Sequence, residues 1–279
     1  MDIRSFRRFG KWGTFAIILS FFMYCARGPY ATTNKVYRQK AKEYARVLRT
    51  QPAIVRGEGG VAPSWWAGTV NFNMRKPNLV IIHHTAQNSC EQTLKTFTIE
   101  RTQVSAHYVI CRDGAIHHML NDYLRAWHGG VAKWGNLTDI NSSSIGIELD
   151  NNGAEPFSPE QINSLIILLD TLQHRYNIPV ANFIGHGDIA PGRKVDPSAW
   201  FPWQELAQKG FGYWYDDTTG VAVPATFNKW QALRIIGYDI KDTIAAMGAF
   251  RRHFMPQDTL APSTDATQKV LFNVLKKYQ

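Results

Sequence analysis

The run Leu79-Val80-Ile81-Ile82 contains no polar side chain and stops on His83. A strand turns successive side chains to opposite faces, so a strand that is apolar at every position has no face left for water. It belongs inside a sheet that is covered on both sides. Ser144-Ile145-Gly146-Ile147-Glu148-Leu149 predicts another strand, and residues 180–185 predict a third that runs straight into His186. Residues 90–102 have helical spacing. Ser158-Pro159-Glu160-Gln161 marks a helix start: Ser158 can cap, Pro159 suits the first turn, and Gln161 occupies the capping-box position. Ile162, Leu165, Ile166, Leu169 and Leu172 follow at steps of three and four, which gives that helix one face for the sheet. Residues 106–111, the turn Arg112-Asp113-Gly114 and residues 115–119 predict a hairpin. Strands alternating with helices in this way predict an α/β fold, a central mixed sheet flanked by helices.

The pattern changes after Asp216-Asp217-Thr218-Thr219-Gly220. Residues 227–236, 240–253 and 263–278 read as three helices, with Gly237, Pro256 and Pro262 in their turns. A small C-terminal three-helix domain over 224–279 is expected.

The net charge of +9 invites a nucleic-acid reading, and its location argues against one. Residues 1–50 hold eleven Lys and Arg against Asp2 and Glu43, which leaves residues 51–279 neutral. The expectation is therefore no nucleic-acid partner. Arg4, Arg7, Arg8 and Lys11 precede an apolar run from Trp12 to Cys25, the layout of an export signal over residues 1–25 and short for a membrane-crossing helix. Cys25 stands where a lipoprotein cysteine would stand, although Phe22-Met23-Tyr24 are bulkier than the residues that usually precede one. Lipidation, simple cleavage and an uncleaved anchor stay open, and all three place the body outside the cytoplasm, periplasmic and membrane-anchored in two of the cases. Residues 26–60 read as a basic tether with some helix, able to rest on anionic lipid or to stay solvated. Cys90 and Cys111 can pair in an oxidising compartment or remain buried thiols; the pair is favoured.

The chemistry concentrates between Gly185 and Pro197, a loop-like segment holding His186, Asp188, Lys194 and Asp196. A catalytic zinc takes three protein ligands and leaves a position open for water. His83 and His186 at strand ends and Asp196 in the following loop supply such a set. Glu148, at the end of another strand, is a candidate base for the water, and Lys194 a candidate stabiliser of the oxyanion on an attacked carbonyl. Each signal is weak alone, and the combination points to hydrolysis of an acyl bond.

Val80-Ile81-Ile82-His83-His84-Thr85-Ala86, Ser105-Ala106-His107-Tyr108, Ala126-Trp127-His128-Gly129-Gly130, Ser144–Glu148 and His186–Pro197 together resemble the zinc N-acetylmuramoyl-L-alanine amidases and peptidoglycan recognition proteins, in particular their envelope-anchored bacterial branch. The motifs run in order from about residue 65 to 216. The resemblance implies a zinc amidase domain over 61–217 and a helical peptidoglycan-binding-like domain over 224–279. It implies His83, His186 and Asp196 as Zn2+ ligands, with His84 a neighbour, and Glu148 and Lys194 as catalytic groups. His128 and Trp127 resemble substrate-groove positions, and His107 a buried support. Some relatives use a tyrosine directly before the equivalent of His107; Ala106 stands there in this chain, which moves the expectation onto Glu148. The implied reaction is hydrolysis of the amide between N-acetylmuramic acid and L-alanine in peptidoglycan or muropeptides, in wall turnover or recycling, by a monomer. The alternatives are a non-catalytic peptidoglycan receptor and a zinc peptidase acting on stem peptides.

Overall fold

A computed structural model describes residues 28–50, 69–74, 76–256 and 265–279. The leader, Cys25, the loop expected around residues 57–63 and the start of the last expected helix lie outside the described residues. Helix α1 (Ala31–Val47) occupies the basic segment, and none of its residues is buried. Among the described residues no helix is long and apolar enough to cross a membrane.

From Thr69 to Gln279 the chain forms one compact unit. Its elements run β1 (Leu79–His84), α2 (Cys90–Phe97), β2 (Tyr108–Ile110), β3 (Ile116–His118), β4 (Ser144–Leu149), α3 (Pro159–Tyr176), β5 (Phe183–Gly185), α4 (His186–Ile189), α5 (Trp203–Gln208), α6 (Lys229–Ile236), α7 (Thr243–Phe254) and α8 (Asp265–Leu275). The five strands form one sheet in the order β3-β2-β4-β1-β5. β1 lies parallel to β4 and β5, β2 parallel to β4, and β3 antiparallel to β2 at the edge. This is the mixed α/β sheet that the sequence predicted, with β1 buried inside it.

Strand alternation divides the two faces. Val80 and Ile82 of β1 and Ile145, Ile147 and Leu149 of β4 pack with Ile162, Leu165, Leu169 and Leu172 of α3 in one core. Leu79 and Ile81 face the other way, into a second core with Ala132, Ile140, Ile184 and Ile189. By the same period of two, His83, Ser144, Gly146 and Glu148 belong to that second face. Ser158 caps α3 by accepting the Gln161 N–H, as expected. The capping box does not close. Gln161 is buried and its side-chain amide donates to Ile110 O at 2.8 Å and Asp150 O at 3.2 Å, because satisfying two buried carbonyls at strand ends takes precedence over reaching back to Ser158.

Three other elements differ in extent. The helix over 90–102 stops at Phe97 and resumes as a separate turn at Glu100–Thr102. There the Thr98 and Thr102 hydroxyls bond to the Lys95 and Ile99 carbonyls, in competition with the helical ladder. The strand over 180–185 narrows to β5 after a tight turn at Val180–Asn182. The segment opened by His186 is not loop throughout: it begins with the single turn α4. Cys90 and Cys111 are joined in a disulfide that ties the start of α2 to the end of β2.

At the C-terminus α6, α7 and α8 enclose a core of Leu233, Ile236, Phe250, Phe254, Leu271 and Val274. Asn228 and Asp242 cap α6 and α7, each accepting two main-chain N–H groups of the first turn.

Candidate active site

β1 and β4 place His83 beside Glu148 in direct register. β5 delivers His186 at the start of α4, and the chain returns through Lys194 to Asp196, whose main-chain carbonyl accepts the Gly187 N–H at 2.7 Å. The result is a triangle of side-chain atoms. His83 Nδ1 lies 2.9 Å from His186 Nδ1, and Asp196 Oδ2 lies 3.0 Å from each of them. All three residues are buried, and their ligand-type atoms form a group able to hold a metal ion.

Hydrogen bonds behind the triangle decide where the protons sit. Ser144 Oγ donates to Ile140 O at 2.7 Å, so toward His128 Nε2, 3.1 Å away, it accepts. Burial, followed by the nearby His83, keeps His128 neutral, with a pKa well below the ordinary value. Its Nδ1 therefore carries a lone pair and accepts from His83 Nε2–H at 3.0 Å. His83, whose pKa burial and the neighbouring His186 lower to about 4, then turns a lone pair on Nδ1 toward the triangle. His186 Nε2 donates to Gly129 O at 3.1 Å, which turns its Nδ1 toward the triangle in the same way. Asp196 Oδ2, itself an acceptor, faces both of these nitrogens at 3.0 Å. Two imidazole lone pairs and a carboxylate thus face one point at about 3 Å separation. Without a cation this donor set repels itself; with one it is satisfied, and imidazole plus carboxylate suits a borderline divalent metal. The residues fit the group.

Glu148 stands apart from the triangle. Burial, then the nearby Asp196 charge, raises its pKa to about 8, partly offset by Lys194. Among the described residues nothing hydrogen-bonds its buried Oε2. A carboxyl held this way takes and gives up a proton near neutral pH. Lys194 lies close enough to act electrostatically on both Glu148 and His83.

Other expected positions fall elsewhere. Trp127 is 47% exposed. His128, expected beside it in a substrate groove, is 8% exposed, with its ring nitrogens engaged by His83 and Ser144. The reason lies in β4, where a Cβ on Gly146 would collide with the His128 ring, so only glycine lets the ring lie on the strand. His107 is fully buried as expected, its Nδ1 accepting the Gly146 N–H at 3.0 Å and its Nε2 donating to Leu124 O at 2.9 Å. His84 accepts the Ser198 N–H at 3.1 Å, away from the triangle. The sequence reading missed Ser144 and Arg193. Arg193 donates to the carbonyls of Gly129 and Val131 at 2.7 and 2.8 Å and so fixes the carbonyl on which His186 leans. The mid-strand glycine was the one available signal for this inner network.

A protein-family model described as N-acetylmuramoyl-L-alanine amidase matches residues 73–199, a span that contains the triangle and Glu148. The chain is 33% identical over 231 residues to the N-acetylmuramoyl-L-alanine amidase AmiD of Escherichia coli (strain K12), covering 72% of this chain and 83% of that protein. Among solved structures, the complex of the E. coli amidase AmiD with anhydro-N-acetylmuramic acid-L-Ala-D-gamma-Glu-L-Lys superposes with a TM-score of 0.66 at 31% identity, covering 80% of this chain and 97% of that one. AmpDh3 of Pseudomonas aeruginosa in complex with anhydromuramic pentapeptide gives a TM-score of 0.67 at 28% identity, covering 78% and 98%. With this fold, this arrangement of side chains and this extent of likeness, the chain belongs to the N-acetylmuramoyl-L-alanine amidase family.

Proposed function

We propose that the chain hydrolyses the amide between N-acetylmuramic acid and L-alanine in peptidoglycan or muropeptides, with zinc held by His83, His186 and Asp196. One observation carries this reading: three lone-pair atoms meet at 2.9–3.0 Å beside a carboxyl whose buried Oε2 has no hydrogen-bond partner among the described residues. The relatives named above as amidases, and the muropeptides bound in two of their structures, supply the substrate class.

Zinc, when bound, supplies Lewis acidity that makes a water nucleophilic at neutral pH and polarises a carbonyl. Glu148 takes the proton that the attacking water loses and returns it to the departing L-alanine nitrogen, since one carboxyl poised near neutrality can serve both steps. The Lys194 ammonium offsets the negative charge that grows on the carbonyl oxygen. His128 and Ser144 hold the His83 ring in the tautomer that leaves Nδ1 free, and Gly129 O does the same for His186. Trp127 offers its exposed face to the substrate.

Mass analysis of digested muropeptides tests the reading. Intact stem peptides that begin at L-alanine, released together with free sugar, are expected. Cuts between amino acids would instead mark a peptidase, and tight binding without turnover a receptor. The proposal extends to place: residues 1–25 direct export, and acylated Cys25 or an uncleaved leader anchors the protein in the envelope, through the basic tether, with a catalytic domain over 61–217 and a wall-binding one over 224–279. The mass of the mature N-terminus distinguishes acylation from retention of the leader.

A further inference from the structure

Asp188 belongs to the same turn as His186 but takes no part in the triangle. It is 4% exposed and accepts three hydrogen bonds, each at 2.8 Å: from Gly185 N–H within its own turn, from the Tyr238 hydroxyl, and from His253 Nδ1. The last two donors come from the C-terminal region, Tyr238 from the connection between α6 and α7 and His253 from α7, 50 and 65 residues further along the chain. The His253 ring is stacked on Trp203 with centroids 3.9 Å apart and so is held in place. Gly187 is hemmed in: a Cβ there would lie 3.1 Å from Arg252 Nη1 of α7 and 3.4 Å from Asp196 O. The turn that carries His186 is therefore pressed between α7 on one side and the main chain of Asp196 on the other. A second contact repeats the pattern on the loop after Gly129 and Val131. Gly135 N–H donates to Gly237 O at 2.7 Å, and the Trp134 and Tyr238 rings meet edge to face with centroids 5.1 Å apart.

We propose that the C-terminal helices form part of the scaffold of the metal centre, with Tyr238 and His253 acting through Asp188 as positioning residues for His186 and Asp196. The inference rests on the reading of those two residues as metal ligands. A buried carboxylate deprived of two of three donors must turn or recruit water, and Gly185 N–H then loses its acceptor. The His186 ring shifts with the turn, and metal affinity is sensitive to such shifts because it depends on groups outside the ligands themselves.

The experiment measures zinc affinity of the full chain by competition with a chromogenic chelator, alongside thermal melts of the metal-free proteins. Tyr238→Phe and His253→Phe each keep a ring and remove a donor, and each is expected to weaken zinc binding by roughly tenfold. His253→Asn, whose side-chain amide can stand in for Nδ1–H, is expected to recover most of the loss. Unchanged zinc affinity in both phenylalanine variants, whatever their melting temperatures, overturns the proposal and leaves the helices a separate stabilising element. If His253→Phe fails to fold, Tyr238→Phe, which loses one hydroxyl, decides by the same criterion. Asp196→Ala tests the underlying reading separately: undiminished zinc there removes Asp196 as a ligand and takes this inference with it.

Discussion

Glu148 meets two opposed demands, burial beside an anionic site and readiness to carry a proton, and its raised pKa near 8 reflects both. Glu148→Gln keeps the shape and removes the proton acceptor. The expected outcome is a loss of turnover of about 10²–10⁴-fold with zinc content unchanged; near wild-type rates on muropeptides would return the base role to some other group. His107 tests a different consequence of burial. Its pKa is lowered from 6.5, first by burial, so the folded protein holds it neutral while the unfolded chain takes up a proton as pH falls through that value. The sign follows: its contribution is intact above about 6.5 and is lost progressively in more acid solution. Metal-free protein should melt at lower temperature on going from about pH 7 to pH 5, and His107→Asn should show a shallower decline from a lower start. Equal slopes would show that His107 is not among the groups responsible.

At the scale of elements, β4 shows how a strand serves a core and a site at once. Ile145, Ile147 and Leu149 fill the α3 side, while Ser144, Gly146 and Glu148 build the other face. Gly146→Ala puts a methyl group where the His128 ring lies. Overpacking of this kind costs about 1–3 kcal/mol, and here it also dislodges the partner of His83 Nε2. Reduced zinc retention together with a lower melting temperature is expected; full zinc occupancy in a destabilised protein would mean that His83 keeps its orientation without His128. The strand, its register of polar ends and the α3 face were legible in the sequence, because local period reports burial. The inward turn of Gln161 was not, since its partners, Ile110 O and Asp150 O, become neighbours only when the sheet forms.

For the whole molecule, the C-terminal helices have a core of their own and yet share buried contacts with the sheet unit through Asp188, Tyr238, His253 and Trp203. Two modules coupled this way are expected to unfold together. Calorimetry of the metal-free chain should show one transition covering residues 69–279; two resolved peaks would show that the helices hold together independently of the sheet.

The sequence by itself determined the alternating α/β order, the burial of β1, the capped α3 and the types of residue that close each strand, because these follow from spacing along a few turns of chain. It also marked Glu148 and His186 at the ends of strands, and Lys194 and Asp196 in the following loop, as reactive groups. Only the tertiary structure decided what each of them meets. His83 and His186 come together across 103 residues, and His253 reaches Asp188 across 65. Pairings at that distance depend on the order of strands in the sheet and on close approach at single glycines such as Gly146, neither of which leaves a periodic trace in the chain.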